Sequence, residues 1–299
     1  ILKGDPALYQ GPGLRAELSL YDPATGRGMT EAYRGDRAEM LAGLLRRNRE
    51  NAPYIPGEPA KVFYHDHARG VRVLSEGAAR APRGIVLEDP TPDTARVVFG
   101  GPSGNGDILG ARADDRLYGG SGDDMLRGAG GDDHLEGNAG RDLLLGDAGA
   151  DTLHGHGGAD VLVGGDGSGD DARPDRLAGG PGDDRYFAGP GDVVTDGDGR
   201  GRVFFEGVVL GGGRREPGAG GPYTSPEGRV RYTRAGADVT VTRDRHAATL
   251  PLAGFSPGDL GIPLREAPAG EGAPTVVQGT PGDDRGEDIL DLDEGLVGE

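Results

Sequence analysis

One leucine returns every nine residues through the middle of this chain. Leu126, Leu135, Leu144, Leu153 and Leu162 keep the step, Leu177 follows after six extra residues, and Tyr186 takes the same column. Most positions between are small or polar, and an aspartate stands two residues before each member: Asp124, Asp133, Asp142, Asp151, Asp160, Asp175 and Asp184. Successive side chains on a strand point to opposite sides. Each x-Leu-x triplet therefore predicts a short strand with Leu inward and Met125, Arg127, His134 and Glu136 in solvent.

Glycine fills the gaps with the same period. The first position holds Gly119, Gly128, Gly137, Gly146, Gly155, Gly164 and Gly179, and the fourth holds Gly122, Gly131, Gly140, Gly149, Gly158, Gly167 and Gly182. Gly120 adds a second glycine to the opening pair of its unit. Glycine takes positive φ without Cβ strain, so the first and fourth positions are read as the ones that close a tight turn. Such a turn aims carbonyl oxygens inward, beside the sixth-position carboxylate. Carbonyls and carboxylates suit calcium, whereas zinc or copper would call for His or Cys in the fixed columns. The glycines and aspartates named above, Gly167 aside because the six-residue insertion begins beside it, are the predicted metal-site residues. Two units make one turn, so an ion would sit between loop n and loop n+2. Seven units allow 7 − 2 = 5 such sites, fewer if the six extra residues within 168–174 break one, so about five ions are expected. The fifth position varies freely, as expected if it offers only its carbonyl.

The flanks follow other rules. Residues 1–99 read as a small mixed α/β region: a strand over 16–21, a turn over 22–26, and an amphipathic helix over about 37–49 opened by an Asp36/Glu39 capping box. A hairpin over 61–74 and strands over 85–88 and 95–99 complete it. Residues 100–192 are the repeat block, with 100–118 as its degenerate N-terminal cap. Residues 193–266 read as a β cap with strands at 202–210, 229–234, 238–243 and 247–252, and 267–299 is an acidic tail. The predicted class is mainly β: a parallel solenoid between a small α/β region and a β cap.

Charge agrees with this reading. The chain has 299 residues, 60 of them Gly, and net charge −18. Residues 100–191 contribute 18 acidic side chains against 7 Arg, a net of −11. Without cations these carboxylates repel, and one Leu per nine residues cannot offset the ordering entropy. Metal binding then becomes folding free energy. An acidic chain whose only lysines are Lys3 and Lys61 is not a nucleic-acid binder. No apolar run approaches the ~20 residues that span a bilayer. Cysteine is absent, so the redox compartment is not constrained. No N-terminal signal peptide is visible and the chain opens on Ile1 rather than Met, which reads as a fragment or processed piece.

The unit G-G-x-G-x-D-x-U-x over 119–187 resembles the RTX, or haemolysin-type calcium-binding, repeats of bacterial secreted proteins. Residues 189–205 and 254–261 resemble segments that follow such repeats. The resemblance implies a right-handed parallel β-roll with calcium in its turns. It also implies export by a type I secretion machinery without a cleaved leader, and folding outside the cell where calcium is millimolar. An effector domain, often a lipase, protease or toxin, usually accompanies such repeats.

Catalytic motifs are absent. Ser121 lies at the third repeat position and lacks the spacing of a serine-hydrolase elbow. Neither H-E-x-x-H nor a phosphate-binding glycine loop occurs. His65 and His67 share one side of a strand and would need a third ligand to hold a metal, so they read as hairpin surface. His154 and His156 read as solvent-facing. Asp196 and Asp198 fit a terminal calcium or a turn equally well. The expected function is calcium binding by a non-catalytic folding and secretion module. The alternatives are the C-terminal part of a secreted hydrolase and a structural or adhesive surface protein.

Overall fold

The computed structural model describes residues 22–49, 62–67, 71–74, 93–101, 104–165, 173–215, 221–243 and 249–266. The expected strands at 16–21 and 85–88 and the acidic tail lie outside these residues.

The repeat units coil into two parallel sheets, with consecutive strands alternating between them. One face stacks β5 (Arg116–Ser121), β7 (His134–Ala139), β9 (Thr152–Gly157) and β11 (Arg176–Ala178). The other stacks β4 (Asp107–Leu109), β6 (Met125–Gly130), β8 (Leu143–Ala148), β10 (Val161–Gly165) and β12 (Asp184–Ala188). The register sets Leu117 opposite Leu135 and Leu126 opposite Leu144, a step of two units. The column leucines from Leu126 to Leu162 are fully buried between the faces. This is a parallel β-roll, as the period predicts.

The coil runs beyond the strict repeats. Upstream, β3 (Ala95–Phe99) pairs in parallel with β5 and puts Val98 opposite Leu117. The hairpin of β1 (Val62–Asp66) and β2 (Val71–Leu74) extends the same sheet, β1 parallel to β3 and β2 antiparallel to β1. Downstream, β13 (Val193–Thr195) and β14 (Gly201–Phe205) add one strand to each face, Val194 opposite Leu177 and Val203 opposite Tyr186. The single strand expected over 202–210 is instead a hairpin, because Glu206 and Gly207 both take positive φ (48° and 76°) and return the chain as β15 (Val208–Val209). Two successive residues with φ > 0 match the twist of hairpin strands. The antiparallel set β16 (Gly213–Arg215), β17 (Tyr223–Thr224), β18 (Val230–Ala235), β19 (Asp238–Arg243) and β20 (Thr249–Ala253) then closes on β13, and β21 (Leu264–Glu266) pairs β16.

The helix corrects the expected capping box. α1 runs Glu31–Arg49, six residues earlier than expected, and its N-cap is Thr30, whose Oγ1 accepts the Tyr33 N–H at 3.2 Å. Asp36 is an interior, buried residue that accepts the Tyr118 hydroxyl at 2.6 Å and an Arg116 contact at 3.2 Å. Arg37 reaches Asp66 at 3.0 Å and lies 4.6 Å over the Phe99 ring. Two adjacent charges that the sequence presents as a helix start are therefore the pins that fasten α1 across β1, β3 and β5.

Candidate metal centre

Each repeat aspartate bridges two coils. Its Oδ1 accepts the backbone N–H of the sixth-position residue two units earlier: Asp133 from Asp115 (2.7 Å), Asp142 from Asp124 (2.7 Å), Asp151 from Asp133 (2.8 Å) and Asp160 from Asp142 (2.8 Å). The ladder crosses the six-residue insertion intact, with Asp175 bonded to Asp151 N–H at 2.7 Å and Asp184 to Asp160 N–H at 2.8 Å.

The second oxygen is different. Oδ2 of Asp124, Asp133, Asp142, Asp160 and Asp184 is buried without a hydrogen-bond partner. A desolvated carboxylate oxygen left this way costs free energy unless a proton or a cation joins it. Burial accordingly pushes Asp133 and Asp160 up to about 8 and Asp142 and Asp184 up to about 7.

The first-position glycines form a cradle for this oxygen. A Cβ on Gly119 would lie 2.7 Å from both Asp124 Oδ2 and the carbonyl of Gly137, one unit n carboxylate and one unit n+2 carbonyl. Gly128 holds Asp133 and the Gly146 carbonyl in the same way, and Gly155 holds Asp160 and the Gly179 carbonyl. Asp142 tucks against Gly137, Asp151 against Gly146, Asp175 against Gly164 and Asp184 against Gly179. These glycines are needed for close approach, not for positive φ, which corrects the sequence reading.

Positive φ belongs to the second and fourth positions. Gly120 has φ 106°, and even Ala129, Asn138, Asp147 and His156 sit between 70° and 82° at the second position. Gly122, Gly131, Gly140, Gly149 and Gly158 take φ from 104° to 152° at the fourth, and there a Cβ would strike the loop two units back. Gly182 makes the same approach to Gly158. The fifth position is not idle either: Asp123 accepts the Arg141 N–H at 3.0 Å and Asp132 the Ala150 N–H at 3.1 Å, a second ladder on the loops.

Two hard oxygen types thus converge between loops: a buried carboxylate oxygen and carbonyls from the neighbouring coil, with glycine space around them. The arrangement fits a calcium ion. The ion would supply the positive charge that neutralises Oδ2; Asp124, Asp133, Asp142, Asp160 and Asp184 would hold it, and the glycines keep side chains out of its way. Among the described residues no group of three His, Cys, Asp or Glu side chains could hold a metal, so carbonyls are an essential part of this donor set.

The family model described as the RTX calcium-binding nonapeptide repeat (4 copies) matches residues 101–135, 136–170 and 170–194. Residues 101–194 are RTX repeats. No curated protein matches the chain. The RTX block begins earlier than the strict columns suggest. Gly110, Asp115 and Leu117 stand nine residues before Gly119, Asp124 and Leu126, and Asp115 behaves as a sixth-position aspartate. Both its oxygens are taken, by the N–H groups of Arg96 and Ala111. The apparent eight-residue step arose because Asp107 is a seventh-position residue facing Met125. At the far end Asp192 accepts the Asp175 N–H at 2.9 Å and the Gly189 N–H at 2.7 Å, closing the RTX ladder with backbone donors.

Other candidates resolve as follows. Asp196 Oδ1 accepts the Asp198 N–H at 3.0 Å, and its Oδ2 takes the Tyr186 hydroxyl at 2.6 Å, the geometry of a turn. The rings of His65 and His67 lie side by side, 3.9 Å apart. Ser121 is the exposed last residue of β5, paired with Ala139. His156 and Glu136 are buried, His134 and His154 half-buried, contrary to the expected solvent exposure. Thr30 Oγ1 donates to Glu136 at 2.7 Å, His134 reaches it at 2.9 Å, and Gly26 packs on the backbone of His156 and Gly157. Burial works to raise the Glu136 carboxyl, but the bonds from His134 and His156 outweigh it and hold it at about 2. The sequence carries no period that marks these residues, because their partner is more than a hundred positions away.

Proposed function

We propose that this chain is a calcium-driven folding module of an extracellular RTX protein, with about five ions held between loops, and that it is not itself a catalyst. The supporting observation is the row of buried Oδ2 atoms on Asp124, Asp133, Asp142, Asp160 and Asp184, each facing glycine space and none with a hydrogen-bond partner. Weak sites of the extracellular class stay empty at cytosolic calcium and fill at millimolar calcium, which couples folding to arrival outside the cell. Passage through a type I channel as an unfolded chain is the export route that suits such a switch.

The test is far-UV circular dichroism of the purified chain during a calcium titration, with magnesium as control. A cooperative gain of β signal near millimolar calcium, absent with magnesium, is the expected result. A spectrum already folded in chelator at neutral pH and indifferent to calcium would remove the metal from the folding argument.

A further inference from the structure

The two outer faces of the roll are treated differently. α1 and the turn before it lie over the β3–β5–β7–β9 face, where Tyr33 packs edge-on against Phe99 and Tyr118 at 5.1 and 5.2 Å. The opposite, seven-stranded face carries an apolar outer surface. Along its seventh-position row the register aligns Asp107, Met125, Leu143, Val161, Arg185 and Arg202. Along the ninth-position row it aligns Leu109, Arg127, Leu145, Val163, Phe187 and Phe204. Leu109 is 57% exposed and Met125 and Phe187 are each 40% exposed. Repeat logic does not ask for this: the outward positions of the other face are Arg116, His134, Thr152 and Arg176 in the same column.

The charges on this face are ordered. Exposed Asp107 stands at the β4 end, exposed Arg185 and Arg202 at the β12–β14 end, and apolar side chains fill the middle. Such a gradient is self-complementary under a two-fold operation. Take an axis lying between two copies, parallel to the strands and over the gap between β8 and β10. It reverses the strand order of one copy against the other. Asp107 then faces Arg202 of its mate, Leu143 faces Val161, Leu145 faces Val163, and Leu109 faces Phe204. Arg127, already paired with Asp147, comes over the Phe187 ring, a favourable cation–π placement.

We propose that this face docks against the same face of a second copy of the chain, forming a symmetric face-to-face dimer of rolls. The apolar centre supplies the contact and the Asp107–Arg202 pairs, made twice by symmetry, set the reversed strand order. Six parallel strands at ~4.8 Å spacing and ~16 Å length offer about 400 Å² a side, the small class of interface, so micromolar association is expected.

The experiment is sedimentation equilibrium of the full chain in saturating calcium at about 10 to 100 μM. Wild type should approach twice 30.7 kDa. Val163→Glu should remain at the monomer mass. Asp107→Arg and Arg202→Asp should each weaken association at least tenfold, since each creates two like-charge contacts. An equimolar mixture of those two variants should regain the dimer, because both contacts become opposite-charged again. Circular dichroism in calcium should be the same for all, which separates loss of docking from loss of calcium-driven folding. A wild-type monomer at every concentration overturns the proposal, whatever else covers the face. So do charge variants that associate like wild type, or a mixture that stays monomeric.

Discussion

Without calcium, the roll should be more stable in mild acid than at neutral pH. Burial raises Asp133 and Asp160 to about 8 and Asp142 and Asp184 to about 7, from 3.8 when exposed. A group whose folded pKa lies above its unfolded value favours the fold fully below the unfolded pKa and loses that contribution as pH climbs through the folded one. The window here runs from about pH 4 to pH 8. A shift of three units corresponds to about 4 kcal/mol for one carboxyl. The carboxyls interact along the ladder, so their contributions do not simply add, but even one is a large fraction of a typical domain's stability. The metal-free chain should therefore hold β structure near pH 5 and lose it towards pH 8, and calcium should abolish the transition. Asp142→Asn keeps an acceptor for the Asp124 N–H but carries no charge at the second atom. It should move the metal-free midpoint to higher pH while raising the calcium concentration needed for folding at pH 7.5. Circular dichroism across pH on calcium-stripped protein reads both effects. A metal-free protein equally structured at pH 5 and pH 8, or one that unfolds on acidification in this window, would refute the reasoning.

Three further outcomes are expected. Gly128→Ala drives a methyl into Asp133 and the Gly146 carbonyl and should cost about 3 kcal/mol in calcium, whereas Ala129→Gly relieves a φ of 82° and should stabilise by about 1 kcal/mol; urea unfolding measures both. Asp115→Asn sets an amide NH2 against one of the two backbone N–H groups that its carboxylate accepts and should cost about 1–3 kcal/mol of folding in saturating calcium without lowering the number of ions bound, while Asp133→Asn lowers that number; equilibrium dialysis against calcium compares them. Thr30→Val removes both the cap of α1 and the bonds to Glu136 and should loosen the helix by about 2 kcal/mol, seen as faster amide exchange in α1 with the repeat strands unchanged.

The roll was legible because its signal is local and repeated. A leucine every nine residues with Asp two before it determines strand, turn and stacking together, and all the column leucines are buried. The roles of the two glycine columns were harder to separate, since close approach and positive φ both select glycine; only Ala129, Asn138, Asp147 and His156 at the second position hint where the left-handed turn lies. The unit at Gly110–Tyr118 reads in the sequence only as a degenerate cap, because Ala113 replaces the fourth-position glycine and Asp107–Ile108–Leu109 repeats the Asp-x-Leu step one residue out of register. The α1 contacts were invisible for a different reason. Asp36 to Tyr118 spans 82 residues and Thr30 to Glu136 spans 106, and no periodicity encodes pairings at that distance.

The roll is also a crystal lattice in one dimension, and every lattice needs a reason to stop growing. At β15 the chain turns back after two residues and offers the next molecule an antiparallel edge that no repeat can match. At β4 the edge is three residues long and opens on the exposed Asp107. Short, charged or reversed edges do not template further strands. Coil-on-coil growth into fibres is thereby blocked at both ends of this sheet.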